Sequence, residues 1–244
     1  MKKSIVVANW KMNMGISDAH VLATEVRNGL SGIGSVEVVL CPPSIWLSEV
    51  KQIIGNKKIS LGAQNMFYEP EGAYTGEISP TMIKEVADYV IIGHSERREY
   101  FGETDHDVNE KTISALRAGL IPIICVGERK EKNNIVEPVK ELREALEGIP
   151  KKHFKDIIIA YEPVWAIGTG ENAEAEYVAK VCNKLREFVD AETAIIYGGS
   201  VKSSNVLEYA KRPEIDGLLV GGASLRASEF IKLCKDWSDA RSLK

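Results

Sequence analysis

The stretch Ile157-Ile158-Ile159-Ala160-Tyr161-Glu162-Pro163 runs five apolar residues directly into a carboxylate. The apolar residues do not alternate with polar ones, which is typical of a strand buried on both faces of a parallel sheet. The glutamate therefore follows the carboxyl end of a predicted strand. Because parallel barrels carry their reactive groups at that end, this one segment indicates both a fold class and a place for chemistry.

Seven further runs of the same kind occur along the chain. The eight predicted strands are Ile5–Ala8, Val36–Leu40, Ile59–Ala63, Tyr89–Ile92, Ile121–Val126, Ile157–Tyr161, Ala194–Tyr197 and Leu218–Val220. Their starts lie on average about 30 residues apart, which is the size of a βα unit. Segments of helical period lie between and after them, most clearly Glu174–Val189 and the apolar stripe from Phe230 to Trp237.

Eight βα units are the number that closes a parallel barrel with helices outside. We therefore predict an α/β fold in which residues 1–244 form a single (β/α)8 barrel domain. A doubly wound open sheet is the alternative, but it has fewer strands and a glycine-rich turn after the first, whereas strand one here runs into Asn9-Trp10-Lys11. The longest irregular stretch, Gln64 to Pro80, is predicted to be a functional loop or an interface.

Composition limits the class of partner. Of the 244 residues, 44% are hydrophobic and 27% charged, with a formal net charge of −4, as in an ordinary globular protein. The charge is too small and too mixed to indicate binding to nucleic acid or a membrane surface. The sequence contains neither a signal-peptide core nor an apolar run long enough for a membrane span. Four widely spaced cysteines predict reduced thiols in the cytoplasm and neither a metal site nor a disulfide framework.

Glu162 is the first candidate for catalysis. Pro163 and Trp165 follow it, and Gly168-Thr169-Gly170 ends a short glycine-punctuated segment, so the carboxylate is joined to a predicted lid. A general base that abstracts a proton needs such a lid to exclude water. A salt-bridged carboxylate at the barrel rim is the alternative interpretation.

His94 and Lys11 also follow predicted strands. His94 begins the polar run that continues to Arg98, and if this run opens a helical turn, its backbone N–H groups face the ring and disfavour the imidazolium. A neutral imidazole can donate a hydrogen bond to a substrate oxygen. Lys11 is predicted to point across the barrel mouth and attract an anionic substrate. The alternatives are a packed core histidine and a solvated lysine.

Two glycine pairs, Gly198-Gly199 and Gly221-Gly222, follow the last two predicted strands. Loops at these positions hold phosphate in many barrels, because backbone N–H groups approach an anion closely where side chains are absent. Tight turns without a ligand are the alternative. Cys125 is interpreted as a packed thiol, since nothing in the sequence marks it as a nucleophile.

Six motifs, in this order along the chain, resemble those of the triosephosphate isomerase family. They are Asn9–Lys11, Gly72–Glu77, Gly93–Arg98, Ala160–Gly170, Tyr197–Val201 and Gly217–Leu225. The likeness spans the chain, and the motif around Glu162 is highly specific. The resemblance implies a TIM barrel that interconverts dihydroxyacetone phosphate and D-glyceraldehyde 3-phosphate through an enediolate, without a cofactor or metal, in glycolysis and gluconeogenesis.

The resemblance also implies a role for each site residue. Glu162 would move the proton, His94 would be the neutral electrophile, and Lys11 and Asn9 would polarise and position the substrate. Glu96 would orient Lys11. The backbone N–H groups that would bind the phosphate belong to Gly168, Ser200, Gly221 and Gly222.

A lid and a dimer are implied in the same way. The lid would consist of Pro163, Val164, Trp165, Ala166, Ile167, Gly168, Thr169 and Gly170. Tyr197 and Ser200 would latch it when closed. The loop containing Thr75 would reach into a partner subunit near Asn9 and Lys11, which makes the expected assembly a cytoplasmic homodimer.

The sequence departs from the family at two places. Residues 129–134 replace the segment that usually follows Glu128, so the resemblance does not predict the conformation of the fifth βα loop. Glu171 stands after the lid tip, where lysine is frequent, and is predicted to change the kinetics of lid opening.

Two other functions fit parts of the pattern. A barrel lyase would use Lys11 as a Schiff-base nucleophile, which borohydride trapping would reveal. A catalytically silent barrel would serve as a binding scaffold. The joint presence of Lys11, His94 and Glu162 argues against the silent barrel.

Overall fold

The computed structural model describes residues 4–34, 36–55, 59–129, 134–166 and 172–242. In these ranges eight parallel strands pair in chain order, and the first pairs with the last to close a barrel. The strands are β1 (Ser4–Asn9), β2 (Val36–Cys41), β3 (Ile59–Ala63), β4 (Tyr89–Ile92), β5 (Ile121–Val126), β6 (Ile158–Tyr161), β7 (Ala194–Tyr197) and β8 (Gly217–Val220). The predicted (β/α)8 barrel is thereby confirmed, and the open sheet is wrong.

Helices connect the strands on the outside of the barrel. Those in the described ranges are α1 (Ile16–Gly29), α2 (Leu47–Ile54), α3 (Pro80–Lys84), α4 (Ser95–Phe101), α5 (Asp105–Arg117), α6 (Val136–Ala145), α7 (Ala175–Arg186), α8 (Val206–Ala210) and α9 (Ala227–Ser242). The predicted helix Glu174–Val189 is α7, which ends three residues early. The stripe from Phe230 to Trp237 lies on α9. No helix in the described part of the chain is long and apolar enough to cross a membrane.

The predicted strands agree with the observed ones to within one residue at either end. The apolar criterion misses residues that pair through their backbone, such as Ser4 opposite Val36. It also misses Gly217, which begins β8 opposite Ile5. A Cβ at Gly217 would lie 2.0 Å from the Ile5 carbonyl oxygen, so the close approach of the two strands there requires glycine.

The strands are buried on both faces, as their continuous apolar runs predict. One set of side chains fills the barrel interior and includes Ile5, Val7, Ile91, Cys125, Ala160 and Ile196. A larger set packs between the strands and the helices and includes Val6, Ala8, Ile92, Ile159, Tyr161 and Trp237. The alternation of inward and outward side chains along each strand separates the two sets.

The same alternation sets the direction of the residues at the strand ends. Val7 points inward and Ala8 outward, so Asn9 is next to face the barrel axis. Ala160 points inward and Tyr161 outward, so Glu162 follows in the inward direction. The polar residues therefore meet at the carboxyl end of the barrel.

Candidate active site

A cavity of about 410 Å³ opens at the carboxyl end of the barrel. Its lining includes the predicted residues Asn9, Lys11, His94, Glu162, Gly198, Gly199, Ser200, Gly221 and Gly222. These residues come from the ends of β1, β4, β6, β7 and β8 and from the loops that follow them. The structure therefore brings together the predicted catalytic and substrate-binding residues that lie within its described ranges, with Glu96 beside the cavity and Thr75 on a separate loop.

Glu162 lies immediately after β6 and is 3% exposed. Its Oε2 accepts a hydrogen bond of 3.0 Å from the backbone N of Ser95, and its Oε1 lies 3.1 Å from Nε2 of His94. A Cβ on Gly198 would lie 2.9 Å from the Glu162 Cγ, so glycine leaves the room that the side chain occupies. The carboxylate is therefore held by two donors inside the barrel mouth and borders the cavity.

His94 caps the helix α4, as the polar run after β4 predicts. Its Nδ1 accepts a hydrogen bond of 3.3 Å from the backbone N of Glu96. A neutral imidazole that accepts at Nδ1 carries its proton on Nε2. That proton points at Glu162, and a substrate oxygen entering the cavity can replace the carboxylate as its acceptor.

Lys11 adopts a left-handed backbone conformation, with φ of 52°. The Asn9 Oδ1 stabilises it by accepting a 3.0 Å hydrogen bond from the Lys11 backbone N. The ammonium group forms an ion pair with Glu96, and a Cβ on Gly221 would lie 3.7 Å from Nζ. Glu96 thus contacts Lys11 in the way that the resemblance implies.

Gln64 is a site residue that sequence reasoning missed. Its Nε2 donates to the carbonyl oxygens of Lys11, at 2.9 Å, and of Cys41, at 2.8 Å. These bonds hold the strained backbone of Lys11 against the end of β2. Gln64 directly follows β3, so the rule applied to the other strand ends, that a polar residue after a buried strand lies at the barrel mouth, would have found it.

One end of the cavity consists of short turns after β7 and β8. Gly221 precedes the 3₁₀ turn Gly222–Leu225, and a Cβ on Gly222 would enter open space. The Ser200 hydroxyl donates to the Ala166 carbonyl oxygen at 2.8 Å. Lys202 and Arg226 also line this end, and both are exposed. Sequence reasoning missed these two cations, although each follows a glycine pair by a few residues.

The predicted lid is described only in its first half. Pro163 is followed by the 3₁₀ turn Val164–Ala166, and the Val164 backbone N donates to the Glu128 carbonyl oxygen at 3.1 Å. Ile167, Gly168, Thr169 and Gly170 lie outside the described residues, as does Glu171. Tyr197, the other residue implied as a latch, accepts a 3.3 Å hydrogen bond at its hydroxyl from the backbone N of Ala173.

Glu128 is a second residue to which sequence reasoning gave no role. It is fully buried, and its Oε1 accepts from the Tyr161 hydroxyl at 2.8 Å, the Trp165 Nε1 at 2.9 Å and the Tyr177 hydroxyl at 3.2 Å. Burial raises the pKa of Glu128, while these donors lower it. The carboxylate therefore ties the first residues of the lid to β6 and α7.

Cys125 is fully buried in the barrel interior, as expected for a packed thiol. Burial raises its pKa, and the charge of Glu162 raises it further. In the part of the chain that the structure describes, no group of three or more histidine, cysteine, aspartate or glutamate residues is placed to hold a metal ion. Of the divergent loop 129–134, residues 130–133 lie outside the described ranges, and Arg129 donates through its backbone N to Glu137 at 3.3 Å.

The irregular segment between β3 and α3 forms an ordered loop that is held by hydrogen bonds within the segment. The Phe67 N donates to Ile78 O at 2.9 Å, and the Tyr74 ring packs on Phe67 with 4.6 Å between centroids. Thr75, at its tip, is exposed.

A separate groove of about 490 Å³ runs beside the candidate site. Its lining includes Asn9, Lys11, Met12, Gln64, Glu96 and Phe101.

Comparison with known proteins identifies a family. A family model described as triosephosphate isomerase matches residues 4–237. The triosephosphate isomerase of Dehalococcoides mccartyi strain CBDB1 is 47% identical over 249 residues, which cover 96% of this chain and 96% of that protein. The protein of the same name from Thermoanaerobacter sp. strain X514 is 47% identical, with coverage of 96% and 99%. That from Dictyoglomus thermophilum is 45% identical, with coverage of 96% and 100%.

Proposed function

Since the chain belongs to the triosephosphate isomerase family, we propose that Glu162, His94 and Lys11 carry out the isomerisation in the cavity at the barrel mouth. The enzyme is an aldose-ketose isomerase that interconverts dihydroxyacetone phosphate and D-glyceraldehyde 3-phosphate, a reaction of glycolysis and gluconeogenesis. The observation that carries the residue assignment is the 3.1 Å contact between Glu162 Oε1 and His94 Nε2 inside that cavity.

Glu162 acts as the base. Its carboxylate takes the proton from the carbon beside the substrate carbonyl, the C–H electron pair forms the C=C bond of an enediolate, and the carbonyl electron pair moves to oxygen. Protonated Glu162 then returns the proton to the neighbouring carbon. At the same time the proton of the enediolate hydroxyl moves to the other oxygen, so a new C=O forms at the carbon that lost the first proton and a hydroxyl forms at the former carbonyl carbon. The His94 proton is shared with Glu162 in the absence of substrate, so a substrate oxygen that accepts this proton also releases the carboxylate to react.

His94 and Lys11 stabilise the oxygen on which negative charge develops. The Nε2–H of His94 donates a hydrogen bond, and the Lys11 ammonium supplies a fixed positive charge in a partly dehydrated site. Glu96 orients Lys11 through their ion pair, while Asn9 supports its strained backbone. Asn9 ends β1, His94 caps α4 and Glu96 lies in the first turn of that helix, which limits their movement.

The phosphate is held by backbone N–H groups of Ser200, Gly221, Gly222 and Gly168, the last of these outside the described residues. The open space at Gly222 supports this assignment, because a side chain there would keep an anion away. The lid that begins at Pro163 closes over the phosphate. Exclusion of water matters here because an enediolate phosphate in water eliminates its phosphate.

Each step uses side chains or backbone groups of the chain, so we propose that the reaction requires no cofactor. The test is a coupled isomerase assay after chelation and exhaustive dialysis. We expect full turnover under these conditions. Activity that returns only on addition of a metal ion would contradict the proposal, and a mass increase after borohydride treatment with substrate would favour a Schiff base on Lys11 instead.

We propose a homodimer in which the Thr75 loop of one protomer enters the groove beside the other protomer's site. Apolar side chains support this contact, since Met12 is 95% and Phe101 71% exposed and both border the groove. Deletion of residues 69–75 should give a monomer with low activity. An intact protein that is monomeric at micromolar concentration by light scattering would contradict the dimer.

We also propose that residues 1–244 act as one domain and that the enzyme is cytoplasmic. The closed barrel supports the first statement, because its strands come from both ends of the chain. The four cysteines support the second, since each is a free and buried thiol.

A further inference from the structure

The backbone of Glu162 is fixed chiefly by the strand next to it. The Glu162 backbone N donates to the Val126 carbonyl oxygen at 2.8 Å. Gly127 packs so tightly against the next peptide, Glu162–Pro163, that a Cβ there would lie 1.7 Å from the Glu162 carbonyl oxygen. The position of the Gly127 peptide therefore determines where the main chain of Glu162 lies.

Glu141 holds the Gly127 peptide from behind. This residue lies on α6, is 5% exposed, and accepts a 2.9 Å hydrogen bond at Oε2 from the Gly127 backbone N. Its other oxygen, Oε1, lies 3.8 Å from Nη1 of Arg98 and 3.8 Å from Nη2 of Arg129. Two cations thus orient the carboxylate so that its second oxygen meets Gly127.

Side-chain packing does not hold the Gly127 peptide and Glu162 in place on this face. A cavity of about 360 Å³ lies on this side of Glu162, and its lining includes Glu162, Gly127, Cys125, Arg98 and Glu141. Open space next to a catalytic side chain permits small movements that a packed core would resist. The hydrogen bond from Gly127 to Glu141 spans one wall of this cavity and restrains the peptide at that wall.

We propose that Glu141 is a positioning residue, which keeps the base Glu162 in register with substrate by accepting the hydrogen bond of Gly127. This inference rests on the proposed role of Glu162. Glu141 contributes an oxygen acceptor at a fixed distance from α6, and this acceptor matters more for the position of Gly127 than the charge of the carboxylate does. An uncharged side chain of the same length with an oxygen at its end should therefore serve almost as well.

The experiment compares Glu141→Gln with Glu141→Asp. Gln keeps the length and the oxygen acceptor but loses the charge, whereas Asp keeps the charge and withdraws the oxygen by one methylene. We expect the Gln variant to retain kcat within about threefold and the Asp variant to lose at least about tenfold in kcat, since small misplacements of catalytic groups have large effects. KM should change less than about twofold in both, because the phosphate-binding end is untouched.

Glu147→Ala is the matched control, because Glu147 is an exposed carboxylate just beyond the end of the same helix. It should keep the wild-type kcat. The inhibition constant of glycerol 3-phosphate, an analogue without a carbonyl group, confirms that each variant is folded. If the Asp variant does not bind the analogue, Glu141→Met replaces it, since Met has the required length but no oxygen acceptor.

The outcomes separate the possible explanations. An Asp variant as active as the Gln variant would show that the reach of the oxygen does not matter, and a more active Asp variant would show that the charge matters more than the hydrogen bond. Either result would overturn the proposal. Equal and normal activity of all variants would also overturn it. Glu162→Gln is measured in parallel: if it remains active, the proposed base is wrong, whereas an inactive Glu162→Gln beside a normal Glu141→Asp refutes only the positioning role.

Discussion

The two ends of the barrel contain the same types of residue in opposite settings. At the amino end, Asp216 Oδ2 accepts hydrogen bonds from Nη2 of Arg186 at 2.5 Å and from the Ile195 backbone N at 2.9 Å. At the carboxyl end, Glu162 accepts from Ser95 and His94. Both carboxylates are almost completely buried, but only Glu162 borders the 410 Å³ cavity.

The two carboxylates differ in whether a bound molecule can replace them as hydrogen-bond acceptors of their partners. The cation beside Asp216 also donates to the Thr193 carbonyl oxygen, so its hydrogen bonds are used within the protein. The Nε2–H of His94 faces the cavity, where a substrate oxygen can displace the Glu162 carboxylate that now accepts from it. Lys11 lines the same cavity while it remains paired with Glu96. A buried ion pair with internal partners therefore suits stability at one end, and a displaceable hydrogen bond suits the proposed chemistry at the other.

The largest expected effect is that of Glu162→Gln. Gln preserves size and hydrogen bonding but cannot take a proton, so turnover should fall about 10²–10⁴-fold. The affinity for glycerol 3-phosphate should change little, because the phosphate contacts remain. Steady-state kinetics and competitive inhibition measure the two quantities. Turnover above a tenth of the wild-type value would show that Glu162 is not the base.

Lys11→Met tests the cation of the carboxyl end. Removal of a partly buried charge that faces an anionic substrate should weaken binding of the same analogue by about 2–5 kcal/mol. Lys202→Met is the control, since Lys202 lines the same cavity but is exposed. Its effect should be smaller and should diminish at high salt. Equal effects of the two substitutions would mean that net charge, and not the placement of Lys11, attracts the substrate.

The sequence predicts the carboxyl end well wherever a single strand end determines the position. Lys11, His94 and Glu162 each follow an apolar run, and the alternation of side chains directs Glu162 inward. His94 and Lys11 face the cavity because the backbone leaves the extended conformation just there, at Gly93 with φ of 73° and at Lys11 with φ of 52°. The number of strands and their bounds follow from the same runs. The weakest points are residues such as Gly217, which pairs through its backbone and carries no apolar side chain.

Contacts between distant elements could not be predicted from the sequence. Lys11 meets Glu96 across 85 positions, and the residue pattern near either one does not indicate the other; only the family resemblance does. Glu141 lies 14 positions after Gly127, on a helix whose start was uncertain because the preceding loop departs from the family. Such pairs depend on how the helices pack around the closed barrel, which periodicity along the chain does not specify.

Asp216→Asn tests the amino end. Loss of the charge leaves Arg186 with a weaker partner in a buried setting, so the free energy of unfolding should fall by about 3 kcal/mol. The kcat should remain within about twofold, because no group of this pair reaches the cavity. Urea unfolding and steady-state assays of one preparation measure both. A variant of normal stability but low turnover would contradict the division of labour between the two ends.

Glu141→Gln should have the smallest effect on stability, and it tests how much the burial of this carboxyl group at the carboxyl end of the barrel destabilises the fold. Burial raises the pKa of Glu141 from 4.5 to about 7, and Arg98 opposes this only in part. Between pH 4.5 and pH 7 the folded state therefore holds a proton that the unfolded state has already lost. This group stabilises the fold fully below pH 4.5, and the stabilisation disappears as the pH rises through 7.

The free energy of unfolding of the wild-type protein should fall by about 2 kcal/mol between pH 5 and pH 7 through this group. The Gln variant has no such proton, so its stability should fall by that much less over the same interval in urea titrations at each pH. Glu147→Ala, which removes an exposed carboxylate just beyond the same helix, should keep the wild-type dependence on pH. If Glu141→Gln keeps it as well, the carboxyl group of Glu141 is already ionised at pH 5 and its two arginine neighbours fully compensate the burial.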